Sequence, residues 1–128
     1  MMLELVRDVY NKETIDTEKM CDTTHLKYAS VDEINRALAI EFQVNTDAMK
    51  KVQGTADVYQ NGRSLDQMFF DKDHNLLQEV FYEIWDPDNQ QIIPLDLDAI
   101  KTQMRLNGAK DIAEPEDAAK DDIQFGGN

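Results

Sequence analysis

Between Leu76 and Trp85 the apolar side chains recur as adjacent pairs, Leu76-Leu77, Val80-Phe81 and Ile84-Trp85, with Gln78, Glu79 and Glu83 set between them. Pairs repeating at this interval fall on a single stripe of an α-helix. In a strand they would divide between two faces, and neither alternate set is uniformly apolar. The pattern predicts a helix over 76–85, ended by the turn residues Asp86-Pro87-Asp88-Asn89.

The neighbouring segments read in the same way. Ser30 supplies an N-cap and Glu33 completes a capping box, after which Val31, Ile34, Leu38 and Phe42 follow at helical spacing. Asn45 opens a second short helix, Thr46 to Gln53, with Gly54 at its C′ position. Ser64-Leu65-Asp66-Gln67 forms another capping box, with Leu65, Met68 and Phe69 on one face. A last helix, capped by Asp96 or Asp98, carries Leu97, Ile100 and Met104 and stops at Asn107-Gly108. Asn61-Gly62 signals a turn. Leu3 to Tyr10 fits a helix face or a strand equally. Thr14 to Tyr28 is polar and Thr-rich, and reads as extended or irregular with one strand pair at most. The expected fold is mainly α, a small helical domain with a minor β component, with α+β as the alternative. The compact domain is expected over 1–108. Residues 109–128 lose all periodicity and read as a flexible acidic tail.

A chain of 128 residues suits one domain. Its 26 acidic residues against 13 basic ones give a formal charge of −13, which disfavours non-specific adhesion to nucleic acid or anionic lipid. Met1-Met2-Leu3-Glu4 lacks the basic and apolar regions of a signal peptide, and no stretch reaches the roughly 20 apolar residues of a membrane span. The one cysteine, Cys21, fits a reducing compartment, so a cytoplasmic protein is expected (host cytoplasm if phage-encoded).

Chemical motifs are weak throughout. Residues 34–52 resemble a helix-turn-helix unit: Ala39, Phe42, Val44, Met49 and Val52 occupy its apolar positions, and Gln43 stands where the turn usually has Gly. That resemblance implies a DNA-binding face made by Asn45, Thr46, Lys50 and Lys51. Asp71-x-Asp73-x-Asn75 mimics the first half of an EF-hand loop. It fails where Gly and Glu are required, at Leu76 and Tyr82, so an Asx-rich helix start is the simpler reading. Cys21 and His25 have ligand spacing, but only His74 remains as a further nitrogen donor. No catalytic residue, metal site or cofactor is predicted, and no Gly-rich phosphate loop or nucleophile elbow is present.

The charge distribution is the more informative signal. Residues 64–100 hold nine acids and a single base, Lys72. A surface of that kind repels itself, and it steers and orients a cationic partner. The expected function is a non-enzymatic interaction domain that binds and inhibits or regulates a basic protein, after the logic of immunity proteins, phage inhibitors and nucleic-acid mimics. Such a partner includes enzymes that handle nucleic acid; direct nucleic-acid or membrane binding is not expected. Its contact set is Asp66, Asp71, Asp73, Glu79, Tyr82, Glu83, Asp86 and Asp88, with Phe81 and Trp85 assigned to the core. The alternatives are a helix-turn-helix regulator and a small virion structural or assembly protein.

Overall fold

In a computed structural model of the chain, which describes residues 2–11 and 21–110, the segment Leu76–Asp86 is a β-strand rather than a helix. It lies at the middle of a six-stranded antiparallel sheet built from β1 (Leu3–Asn11), β2 (Asp22–Tyr28), β3 (Thr55–Asn61), β4 (Ser64–Phe70), β5 (Leu76–Asp86) and β6 (Gln91–Ile93). The strand order is β2-β1-β5-β4-β3, and β6 pairs with the end of β5 that β4 does not reach. Two helices, α1 (Val31–Lys50) and α2 (Leu97–Leu106), complete the described residues. The mainly α expectation is therefore overturned: 44% of the described chain is strand and 30% helix. The expected tail lies outside the described residues from 111 onward.

The failure of the helical reading has a physical cause. Even-numbered residues of β5 face the helices: Val80, Tyr82, Ile84 and Asp86 are all buried. Odd-numbered residues face the other way and alternate between apolar and acidic, as Leu77, Glu79, Phe81, Glu83 and Trp85. Alternation of that kind spaces the apolar members four residues apart, which in one dimension looks like a helical stripe. The β-branched and aromatic content of the segment favours strand, and pairing on both sides realises that preference. The Ser64-x-x-Gln67 capping box is likewise not used. Ser64 Oγ donates to Glu83 Oε2 at 3.1 Å on the adjacent strand, and Gln67 is fully buried in β4.

Both helices pack on one face of the sheet. Ile34, Leu38 and Phe42 of α1 and Ile100 and Met104 of α2 meet Leu3, Leu5, Leu65, Val80 and Ile84 in a single core. At its centre the Tyr82 ring sits edge-on to Phe42, with centroids 5.2 Å apart. The Tyr82 hydroxyl donates to Glu41 Oε2 at 2.5 Å, and Arg7 Nε donates to the same oxygen at 3.0 Å. Burial, reinforced by the Glu41 carboxylate, pushes the Tyr82 phenol far above its usual range, so it remains a donor. This node joins β1, β5 and α1 through one carboxylate.

Local signals place the helix ends. Ser30 Oγ accepts from the Glu33 N–H at 3.2 Å, and Asp96 accepts from the Asp98 N–H at 3.0 Å. Asn107 and Gly108 end α2, with Gly108 at φ +93°. Helix α1 runs unbroken from Val31 to Lys50, which removes the turn that a helix-turn-helix requires. Gln43 is a good helix former, and Asn45, instead of capping a second helix, donates Nδ2 to Gln67 Oε1 at 2.8 Å. Thr46 is half-buried, and Lys50 and Lys51 end the helix, where positive charge suits its dipole. Gly54 is needed for close approach: a Cβ there would overlap the Phe70 carbonyl oxygen.

Tyr82→Phe keeps the ring packing but removes one of the donors to Glu41. It is expected to lower unfolding free energy by about 1.5–3 kcal/mol in chemical denaturation. An unchanged midpoint would show that the node contributes nothing.

Candidate functional site

Directly opposed residues in an antiparallel sheet share a face, so the strand registers map the side that the helices leave open. Across β1, β5, β4 and β3 this face reads Glu4–Trp85, then Val6–Glu83–Ser64, then Asp8–Phe81–Asp66–Tyr59, then Tyr10–Glu79–Met68–Asp57. Carboxylates and apolar or aromatic groups alternate along the strands and across them, as on a checkerboard. No carboxylate stands directly opposite another. Like charges directly opposed across strands destabilise a sheet, and this register avoids every such pair while keeping six acids on one surface.

Among the described strand residues, positive charge on this face is confined to the β2 edge. Lys27 opposes Glu4, and His25 Nδ1 lies 2.9 Å from Glu4 Oε1. Thr23 opposes Asp8 and donates to it at 2.7 Å. Strands β3, β4 and β5 place no lysine, arginine or histidine on this face. Two of its aromatic members, Tyr10 and Phe81, pack edge to face, with centroids 5.5 Å apart.

Asp66 is the unusual member of the set. It is only 6% exposed although no element covers its face among the described residues, and its Oδ1 has no hydrogen-bond partner. Tyr59 and Phe81 flank it on the adjoining strands. Burial, a hydrogen bond shared with Glu79 and the charge of that carboxylate push Asp66 up to about 7, so the pair retains a proton near neutrality.

The predicted contact residues separate into four places. Asp66, Glu79 and Glu83 come together on the open face. Asp71 and Asp73 lie in the β4–β5 turn, where Asp71 Oδ1 accepts from the N–H groups of Asp73 and Asn75, both at 2.9 Å. The Asx geometry expected of that motif is present, but in a hairpin turn rather than at a helix start. Asp86 is 2% exposed at the opposite end of β5, with Asp88 exposed beside it. The Asn89 side chain donates to Asp86 Oδ2 at 2.7 Å and, with the backbone N–H groups of Asn89 and Asp88, holds the Asp86 carboxyl below its usual range. Asp86 therefore serves the β5–β6 turn. Tyr82 faces the helices and is fully buried, so no partner reaches it. The assignment of Phe81 and Trp85 to the core is corrected as well: both lie half-exposed on the open face.

The sequence reading passed over Glu4, Asp8, Asp57, Val6, Tyr10 and Tyr59. The signal for β1 was present, since Glu4, Val6, Asp8 and Tyr10 alternate as a strand with one acidic-apolar face should. Cys21 Sγ lies 3.6 Å from Thr23 Oγ1, and among the described residues no cluster of three or more His, Cys, Asp or Glu is arranged to hold a metal ion. No helix among the described residues is long and apolar enough to cross a membrane. The chain matches no known protein family, no curated protein and no solved structure.

An acid whose folded pKa is raised costs stability once it must ionise. The cost is absent below the ordinary value of 3.8 and grows as pH rises toward and past about 7. Asp66→Asn removes it. The variant is expected to match the parent near pH 3.5–4 and to exceed it at pH 8 by on the order of 2 kcal/mol, read by denaturation at both pH values. A variant less stable than the parent at pH 8 would contradict this reading of Asp66.

Proposed function

We propose that this protein is an acidic binding module that docks the open face of its sheet onto a basic protein surface and so blocks or regulates that partner. The carrying observation is the checkerboard of Glu4, Asp8, Asp57, Asp66, Glu79 and Glu83 interleaved with Val6, Tyr59, Met68, Phe81 and Trp85. The two halves of the pattern do different work. The carboxylates steer a cationic surface and set its register, while the exposed Tyr59 and the partly exposed Val6, Met68, Phe81 and Trp85 supply contact area once water is displaced. A rigid sheet holds both in fixed positions, so little ordering is needed on binding. The action is occlusion, with no covalent step.

This refines the docking surface suggested by charge alone. The acids of the two turns, Asp71, Asp73 and Asp88, lie at the ends of the face, and the centre of contact falls at Phe81, Glu83 and Asp66.

The probe for this reading is a synthetic arginine–glycine repeat peptide titrated into the full chain. Glu79→Lys with Glu83→Lys is expected to weaken binding by about tenfold or more, and salt raised from ~50 to ~500 mM is expected to do the same to the parent. The charge-matched pair Asp47→Lys with Asp98→Lys, on the helices at the other side of the sheet, is expected to change affinity by no more than about threefold. Equal losses from the two pairs would reduce the effect to net charge and remove the proposal.

A further inference from the structure

Resting on the open-face reading above, we infer that Asp66, set between Tyr59 and Phe81 on the adjoining strands and bordered by Glu79, forms a socket for a single arginine side chain of the partner. Four observations converge there. Asp66 is more than nine-tenths buried, yet it lies on the face that no described element covers. Its Oδ1 has no hydrogen-bond partner, a costly arrangement for a group so little hydrated. The residues directly opposite it on both sides are aromatic, Phe81 on β5 and Tyr59 on β3. Finally, β3, β4 and β5 provide no basic side chain on this face to answer the carboxylates.

A guanidinium meets all four conditions. It is flat, so it stacks against aromatic rings, and its fork of N–H donors reaches two carboxylate oxygens together. The Glu79 carboxylate and Asp66 are the acceptors it would find, Asp66 Oδ1 being reached as the side chains that seal it from solvent part. A lysine ammonium is a point charge with a tighter hydration shell and gains less between rings. A metal ion is a poorer occupant, since among the described residues no cluster of three ligating side chains is formed.

The socket also links binding to protons. The groups facing Asp66 are Asp57 and Tyr59 from β3 and Glu79 and Glu83 from β5, with Asp8 of β1 beyond Phe81; its own strand adds only Ser64 and Met68. Burial and the neighbouring Glu79 carboxylate favour retention of a proton at Asp66 in the free protein, in line with its upward shift. A guanidinium docking against Asp66 expels that proton to solvent and pairs with the resulting carboxylate. Affinity therefore rises as pH increases from slightly acid to slightly alkaline.

The test is isothermal titration of the full chain with two peptides of equal length and charge, an arginine–glycine repeat and a lysine–glycine repeat. The parent is expected to favour the arginine peptide by about tenfold at pH 7.5. Its binding should release a fraction of a proton near pH 7, read from the difference between two buffers of unlike ionisation heat. Asp66→Asn, which is expected to fold at least as well as the parent, should erase both the preference and the proton release. Asp98→Asn, which removes the same charge from the exposed first turn of α2, should keep both. Equal affinity of the parent for the two peptides, or a preference that survives in Asp66→Asn, would overturn the socket. If Glu79→Lys with Glu83→Lys still weakens both peptides while Asp66→Asn leaves the preference intact, the face stands and the socket falls. If that double reversal affects neither peptide, the face reading itself fails.

Discussion

Repulsion between carboxylates is the constraint that governs this fold. Six acids share one side of a sheet whose adjacent strands are separated by only about 5 Å. Were the registers of β1, β4 or β5 shifted by two residues, acids would stand opposite acids and each such pair would cost stability. A shift by one would expose Leu5, Val80, Tyr82 and Ile84 to water and bury the charges. The core on one side and charge avoidance on the other therefore select the same alignment. Each acid instead opposes a ring, an apolar group, a hydroxyl or, at Glu4, a lysine.

Within that arrangement the two sides of the sheet have separate tasks. The helix side holds the fold together, with the Tyr82–Glu41–Arg7 node tying α1 to β1 and β5. There Asn45 donates to Gln67 Oε1, while Gln67 Nε2, Asn35 Oδ1 and Gln43 Oε1 are buried without a hydrogen-bond partner. The open side carries what the fold does not need. Asp66 is the clearest case, because its burial penalises ionisation and its second carboxylate neighbour adds to the cost. A residue that weakens the folded state at neutral pH is explained when a partner's cation relieves the penalty, and proteins commonly keep such local costs at recognition sites.

What was legible in the chain follows the range of the interactions involved. Ser30, Asp96 and Asn107-Gly108 mark helix ends correctly because caps are made within a few residues. Asn61-Gly62 marks the β3–β4 hairpin for the same reason, with Gly62 at φ +61° as the first of its two loop residues. The two strands β4 and β5 were not legible as such. Their identity depends on partners far along the chain, and the acidic-apolar alternation of the open face reproduces helical spacing when only one strand is read. The acidic middle third was visible as composition, but its division among a face, two turns and a buried cap was not. Asp71, Asp73 and Asp88 are turn residues, Asp86 fixes the β5–β6 turn, and Tyr82 belongs to the core. Conversely, Glu4, Asp8 and Asp57 joined the face only once β1 and β3 were aligned beside the centre.

The most direct measurement is an amide and side-chain nuclear magnetic resonance map of the full chain as the arginine–glycine peptide is added. The account predicts that shifts concentrate at Tyr59, Asp66, Phe81, Glu83 and the one tryptophan, Trp85, and leave the outer side of the helices at Ile40, Val44 and Leu106 unmoved. Shifts centred on those exposed helix residues, or spread evenly over every acidic side chain of the molecule, would contradict it.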